Sequence, residues 1–486
     1  MKIPRNPMKM LRKFDPIDGW LICLSTVWTL LVLMTPYVPS QDGPSHVYCA
    51  YALSNLDTPP YSGLYEATWE LIPNLGGTAL LMLLGAVMPW PLAEKILVLI
   101  ATLGFIVGTR WLCRSQRPSD DSGTPTVALF AVPFALTAPL FYGFYSYSLG
   151  LAFVPWVWGL ATQRGAKARL LLATLCFATW ACHAAACLIA LIGAVILGFT
   201  RDKKQQLYLI VSLIPAAGLL GYYIVSFPTQ SAVHWDWARL SEYAVLGRAF
   251  FVFEGGAEWT SVLCIGALLS YALRATHVIR PMTLTAGLIA LYAWLPDGGS
   301  EHWFLSLRLS MLPAYSLLIL ASQRTPPHKL LNFGLAALVT VHLATVCIGY
   351  QQASQQIEDY VSLEAHVPDG ANILVIDDLG PPYPSRHNPL LHAAGWLAIN
   401  RRGIDVSNYE PHRRHFQLKL MKYSQIPDPN ALMDALTVQS ITPFLRHSDT
   451  VLYRSDKPIQ LGGFVSHASA ENVHVFLGRE CKRHRH

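Results

Sequence analysis

Charge is what this chain has least of. Only 14% of its 486 residues are charged, against about 25% in a typical soluble domain. That deficit excludes an ordinary globular enzyme. The nine cysteines include no CxxC pair, which removes the usual zinc and redox patterns. Neither an HExxH motif nor a glycine-rich phosphate-cradling loop is present, so no nucleotide or zinc chemistry is indicated. No internal repeat stands out, and repeats with paired broken helices mark many transporters. One absence is local: between Pro39 and Leu92 there is no Lys or Arg.

Apolar stretches, by contrast, are plentiful. The chain is 52% hydrophobic, and over residues 1–350 many stretches approach the roughly 20 residues needed to cross a bilayer. They predict helices over 19–38, 92–113, 126–142, 148–161, 170–182, 184–199, 207–227, 259–273, 282–294, 307–320 and 331–349. The first run, following Arg5, Lys9, Arg12 and Lys13, is longer than a signal-peptide core and reads as a retained signal-anchor. Residues 351–486 are more polar and richer in His, and read as a separate domain.

The net charge of +6 does not point to nucleic acid. The basic residues cluster between apolar stretches, at the N-terminus, Arg110/Arg114/Arg117, Arg164/Lys167/Arg169, Arg201/Lys203/Lys204, Arg274/Arg280 and Arg324/Lys329. The positive-inside rule places all of them in the cytoplasm. The chain must therefore cross an even number of times between clusters. The scheme gives an all-α polytopic membrane protein with about eleven crossings, its N-terminus inside and C-terminus outside. It makes 76–90 a helix at the outer interface, and 170–199 a hairpin of two short helices. The outer face then holds the loop 39–91, the loop 228–258, the loop 296–305 and the C-terminal domain.

The polar residues on that face are the candidates for chemistry. Asp42, in Gln41-Asp42-Gly43, lies just beyond the first helix, where a carboxylate can act as a general base or hold a divalent cation. It can equally cap a helix, since Asp-Gly-Pro is turn chemistry. His46 follows at i+4, on the same helical face. Glu66 is a further ionisable group of this loop. His183, at the hairpin tip, is a polar group in an apolar segment, a pattern that marks cavities. Arg308 opens an outer helix end, where its guanidinium can bind a lipid phosphate or snorkel to headgroups. His302 precedes it. In His234-Trp235-Asp236-Trp237, the rings of Trp235 and Trp237 are interface anchors by default, and Trp also stacks on sugars. In the C-terminal part, residues 372–376 read as a buried strand ending in Asp377-Asp378, 390–399 as a helix and 450–453 as a second strand, together a small α/β domain. His387, His392, His412 and His415 lack a metal-ligand spacing, and no metal site is assigned.

This order of parts resembles the C-type-fold membrane glycosyltransferases that use polyprenyl-phosphate sugars, a group that includes protein O-mannosyltransferases and the lipid A aminoarabinose transferase. They share a cytoplasmic N-terminus, a long first outer loop with an acidic residue near its start, a multi-helix body and often a soluble outer domain. The resemblance implies that Asp42 is the catalytic acidic residue and that Arg308, with His302, binds the donor phosphate. Tyr142–Tyr147, including Tyr145, is similar to the loop linking the third and fourth helices of bacterial members. His46, Glu66, His183, Tyr145, Trp235 and Asp236 are then cavity or acceptor-side candidates. The first loop lacks the Asp-Asp or Asp-Glu pair of metal-dependent members. The implied activity is hexosyl or pentosyl transfer from a polyprenyl-phosphate sugar to a glycan, lipid or protein acceptor, at the periplasmic face of a bacterial cytoplasmic membrane. A flippase or transporter of a lipid-linked substrate, and a non-catalytic factor in surface-polysaccharide assembly, are the alternatives.

Overall fold

The computed structural model describes residues 15–116, 123–200, 202–227, 237–238, 248–273, 279–294, 305–323, 329–422, 424–429, 438–456, 460–470 and 472–478. It is mostly helical, with a small C-terminal sheet. Five helices are long and apolar enough to cross a membrane, and shorter apolar helices pack among them.

Helix α1 (Pro16–Met34) starts where Asp15 accepts a hydrogen bond from the Ile17 amide at 3.0 Å, with Pro16 in the first turn. Both features favour a helix start. It buries Leu21, Leu24, Trp28 and Val32 while Ile22, Leu30 and Met34 stay exposed. An apolar outer face is what a lipid-facing helix requires. Helix α2 (Gly43–Ser54) and strand β1 (Tyr65–Ala67) follow within the cation-free loop. Helix α3 (Leu75–Gly85) has 11 residues, a rise of about 16 Å. It is too short to span roughly 30 Å of hydrocarbon.

Helix α4 (Trp90–Ser115) runs antiparallel to α1. Lys95 donates to the Leu33 carbonyl, Trp28 Nε1 to Thr102 Oγ1, and Arg110 pairs with Asp18. The expected helix over 126–142 is interrupted. A 3-10 turn over Thr126–Phe130 leads into α5 (Ala131–Ala135) and then α6 (Ala138–Phe141). Pro133 and Pro139 lack the amide hydrogen that a continuous helix needs.

Helices α7 (Tyr145–Thr162), α8 (Ala166–Cys182) and α9 (Ala184–Gly198) follow. The hairpin expected over 170–199 is present. His183 is extended, with φ −163° and ψ 133°, and divides α8 from α9. Both helices pack on α7. Arg169 reaches the Ala161 carbonyl, while Gly150 faces Ala186 and Gly193 sits against the Trp158 ring. Small residues let membrane helices approach this closely. Helix α10 (Lys203–Ser226) begins with Asp202 accepting from the Lys204 and Gln205 amides.

These contacts give the bundle two distinct ends. One gathers Asp15, Asp18, Arg110, Arg114 and Thr124; Arg169 and Arg280 bond carbonyls of Ala161 and Leu197 near the same end. The other gathers the 39–42 segment, Glu94, Tyr145, His183 and Arg308. Helix Lys329–Val361 runs without interruption through residue 350, and Ser354 on it hydrogen-bonds both the amide and the carbonyl of Tyr37.

Beyond it lies a five-stranded sheet ordered β3-β2-β5-β7-β6. Its strands are β2 (Asn372–Asp377), β3 (Ile404–Asp405), β5 (Thr450–Arg454), β6 (Phe464–Ala470) and β7 (Val473–Gly478). β2 pairs in parallel with β3 and β5; β7 is antiparallel to β5 and β6. The remaining strand, β4 (Leu418–Leu420), instead pairs with β1, aligning Glu66 with Lys419. The C-terminal part is thus stitched by backbone to the first loop. Helix Ala394–Asn400 packs on α2 so closely that a side chain at Gly395 would meet the Pro44 carbonyl oxygen at 2.6 Å.

Candidate functional site

Asp42 stands at the start of α2 without capping it. Its backbone amide is held by the Tyr142 carbonyl at 3.1 Å, and the Gln41 amide by the Phe141 carbonyl at 2.9 Å. The segment is therefore fixed to the turn between α6 and α7. Gly143 takes φ 83° at that turn, a left-handed conformation that glycine adopts without penalty. A Cβ there would press on the Asp42 and Gly43 backbone.

Asp42 is buried, its side chain 12% exposed. It accepts from Gln41 Nε2 at 3.3 Å and from the Tyr409 hydroxyl at 3.4 Å. His392 Nε2 lies 3.8 Å away. Burial raises the Asp42 pKa, against the lowering influence of His392, His46 and the Gln41 hydrogen bond. The same burial lowers the pKa of His392, opposed by Asp42 and Glu410. A carboxylate whose pKa has moved up is a stronger base than one in water.

His46 comes next along α2. Its Nδ1 lies 2.7 Å from Glu410 Oε1, and its ring sits between Tyr145 and Phe416. Desolvation pulls the His46 pKa down, but the charge and hydrogen bond of Glu410, helped by Asp42, outweigh it and the net shift is upward. Desolvation pushes Glu410 up, yet His46 and the Ser45 hydroxyl, 2.8 Å away, bring it below its ordinary value. The two form a buried ion pair one helical turn along α2 from Asp42.

On the other side of the α6–α7 turn, the Arg308 guanidinium lies 4.1 Å over the Phe144 ring. The Tyr147 hydroxyl donates to the Arg308 carbonyl. Tyr145 donates to Glu94 and lies 2.7 Å from Ser40 Oγ. His183 accepts from the Ala185 amide at 3.1 Å and packs edge-on against Tyr147.

The structure therefore brings Asp42, His46, Tyr145, His183 and Arg308 to one end of the bundle. Glu66 does not join them: in β1 it is exposed, opposite Lys419, while its neighbour Tyr65 is buried. Strand alternation sends adjacent side chains to opposite faces. Trp235, Asp236 and His302 lie outside the described residues. Among the described residues, no group of three His, Cys, Asp or Glu side chains is arranged to hold a metal ion.

Sequence reasoning missed Glu94, Asn388, Tyr409 and Glu410, and noted His392 only as one of several histidines. Glu410 and Tyr409 sit in a polar stretch, Asn408-Tyr409-Glu410-Pro411-His412, with no local pattern that marks them. Asn388 links two regions: its amide donates to Gln41 Oε1 at 3.1 Å, and its side chain donates to Asp377 at 2.6 Å. Asp377 in turn pairs with Arg454 at 2.8 Å. The strand-end carboxylate expected from the sequence thus braces the loop that holds Gln41 and Asp42.

A cavity of about 450 Å³ adjoins this site. Tyr142, Phe251, Leu307, Ser385, Arg386 and His387 are among its lining residues, and the Arg386 guanidinium lies 5.9 Å over the Phe251 ring.

Fold and site together define a multi-pass helical membrane protein whose C-terminal sheet domain closes over an acidic loop at one end of the bundle. No family model matches the chain, and no curated protein matches it. Among solved structures it is similar to the arabinofuranosyltransferase AftD from mycobacteria, with 15% identity and a TM-score of 0.48 over 95% of this chain and 40% of that one. It is also similar to the oligosaccharyltransferase of Archaeoglobus fulgidus, with 9% identity and a TM-score of 0.44 over 92% of this chain and 70% of that one. The chain spans about two fifths of the length of the AftD structure.

Proposed function

We propose that the chain is a membrane glycosyltransferase that moves a sugar from a polyprenyl phosphate to an acceptor hydroxyl at the outer face of the bacterial cytoplasmic membrane. Its body (1–350) crosses about eleven times, N-terminus inside, with 351–486 as the periplasmic domain. The gathering of Arg110, Arg114, Arg169 and Arg280 toward the end opposite Asp42 supports this orientation.

The observation that carries the reading is that Arg308 and buried Asp42 are placed against the same turn, the Asp42 amide on the Tyr142 carbonyl and the Arg308 guanidinium over the Phe144 ring. The acceptor oxygen attacks the anomeric carbon as the bond from that carbon to the phosphate oxygen breaks. Asp42 takes the hydroxyl proton. Arg308, with His302 as a further donor, stabilises the negative charge on the departing polyprenyl phosphate. A single displacement inverts the anomeric configuration. His46, Tyr145 and His183 shape the pocket, and Trp235 and Asp236 remain acceptor-side candidates. The residues that hold Asp42 supply preorganisation, since Gln41, Tyr409 and the Tyr142 carbonyl fix its position before substrate arrives.

Purified protein incubated with defined polyprenyl-phosphate pentoses and hexoses tests the proposal. Asp42→Asn is expected to fold and to lose transfer by a factor of at least roughly 10², the lower range for removing a general base. A folded Asp42→Asn variant that transfers at the normal rate sinks the assignment.

A further inference from the structure

Beside the Asp42 segment lies a second buried carboxylate that the proposed chemistry does not use. Glu94 stands near the start of α4 and is 0% exposed. The Asp42 side chain keeps 12% exposure, so of the two carboxylates it is the one that can meet a substrate. Two hydroxyls reach Glu94. Tyr145 donates to Glu94 Oε1. Ser40 Oγ lies 2.7 Å from the Tyr145 oxygen and 3.5 Å from Glu94 Oε1. Tyr145 has a single hydroxyl proton and gives it to Glu94, so the Ser40 hydroxyl donates to Tyr145. Ser40 is 0% exposed and Tyr145 1%. The chain from Ser40 through Tyr145 to Glu94 is sealed from solvent and joins the first loop, α7 and α4.

This chain sits against the backbone that carries Asp42. A Cβ placed on Gly43 would collide with Ser40 Oγ, the Tyr145 hydroxyl and Glu94 Oε1 together. All three groups therefore converge on the residue that follows Asp42. The α6–α7 turn closes on the same point, since a Cβ on Gly143 would press on the Gly43 nitrogen. Upstream, Lys95 donates to the Leu33 carbonyl at 3.3 Å. The start of α4 thus holds the chain at two places on its way out of α1, at Leu33 and at Ser40–Gly43.

The cost of Glu94 says what it is for. Its Oε2 is buried with no hydrogen-bond partner among the described residues. Burying an unpaired acceptor costs free energy, and an ionisable residue in an apolar segment marks a functional region. An apolar side chain would fill the space without that cost. What the carboxylate supplies, and an apolar side chain would not, is the acceptor for Tyr145.

We infer that Glu94 is a positioning residue: through Tyr145 and Ser40 it locks the 40–43 segment and so sets where the Asp42 carboxylate stands. It does not touch substrate. The inference rests on the glycosyltransferase reading, in which Asp42 takes the acceptor proton, and adds a residue to it. It also gives the Tyr145 hydroxyl a different partner, Glu94 rather than an acceptor.

Two measurements on full-length protein in lipid nanodiscs test it. Hydrogen–deuterium exchange reads the hold on the loop, because the Gln41 and Asp42 amides bond the Phe141 and Tyr142 carbonyls. Steady-state transfer from a polyprenyl-phosphate sugar reads its effect. Glu94→Leu and Tyr145→Phe are expected to speed exchange of the 40–43 segment by at least roughly tenfold through local opening. Both should lower kcat by about ten- to a hundredfold at unchanged KM, the range for displacing a catalytic group by about an ångström. Glu94→Gln keeps an acceptor oxygen and should stay close to wild type in both measurements. The double variant Glu94→Leu/Tyr145→Phe removes both members of the pair and leaves neither orphaned, so it folds even where a single variant does not. Its kcat should fall no further than that of the singles, because both act through one interaction. The inference is overturned if the 40–43 segment exchanges at the wild-type rate in Glu94→Leu and Tyr145→Phe, if their loss falls on KM rather than kcat, or if Glu94→Gln is as damaging as Glu94→Leu. Asp42→Asn tells the two readings apart. Normal transfer in Asp42→Asn, with the loop loosened as expected in Glu94→Leu, removes the base role and leaves the hold on the loop standing. Lost transfer in Asp42→Asn with full transfer in Glu94→Leu keeps the base role and removes the positioning role.

Discussion

Replacing Glu410 by Gln tests how the C-terminal domain is held on the first loop. Glu410 pairs with His46 at 2.7 Å and accepts from Ser45 at 2.8 Å, in a setting where the two ionic side chains are 2% and 17% exposed. Removing one partner of such a buried pair typically costs roughly 3–5 kcal/mol, because the remaining charge loses its compensation. Each 1.4 kcal/mol is about tenfold in an equilibrium constant, so local opening of the 43–54 and 404–420 segments should rise by a factor between roughly one hundred and several thousand. The pH dependence has a defined sign. The folded pKa of His46 is raised, so its stabilisation is full below the unfolded value of about 6.5 and is lost as pH rises through the folded value. The folded pKa of Glu410 is lowered, so its stabilisation is present above its unfolded value of about 4.3 and is lost as pH falls through the folded value. Docking is therefore strongest between the two unfolded values and weakens at the alkaline side as His46 loses its proton. Hydrogen–deuterium exchange of the two segments across pH 5 to 9, corrected for intrinsic rates, measures this. Wild type should show protection falling toward high pH, and Glu410→Gln should show lower protection with a flattened profile. Equal protection in both proteins at every pH would refute the ion-pair account.

Two further outcomes follow from the geometry. Arg308→Ala should lower kcat/KM for the polyprenyl-phosphate donor by roughly 10²–10³-fold, as for loss of one charge-stabilising donor. Arg308→Lys should recover only part of it, because an ammonium keeps the charge but not the planar stacking on Phe144; steady-state kinetics over a donor series measure both. Gly395→Ala should push helix Ala394–Asn400 off α2, since its Cβ would meet the Pro44 carbonyl at 2.6 Å. The expected cost is about 1–3 kcal/mol, read as increased protease sensitivity of the C-terminal domain.

Several features were legible in the sequence because they depend on local chemistry. α1 and α4 follow from apolar length, and the break at His183 from some thirty apolar residues flanked by basic clusters, too long for one comfortable crossing and long enough for two short helices. β2 and β5 follow from short runs of β-branched and aliphatic residues. The helix over 126–142 was misjudged because composition registers its apolar length, while Pro133 and Pro139 interrupt its hydrogen bonding. Asp42 and Arg308 stood out because ionisable groups at the ends of apolar segments are rare.

The sequence alone thus determined a membrane body, its basic clusters, a cation-free loop and two candidate charges, Asp42 and Arg308. The tertiary structure decided what surrounds Asp42. His392, Tyr409 and Glu410 come from more than 340 positions away, and Ser385, Arg386 and His387 reach the cavity through backbone pairing with 252–254. Contacts of that separation leave no periodicity or spacing in the chain, because they are set by how the C-terminal sheet domain docks on α2 and β1 rather than by any residue's neighbours in sequence.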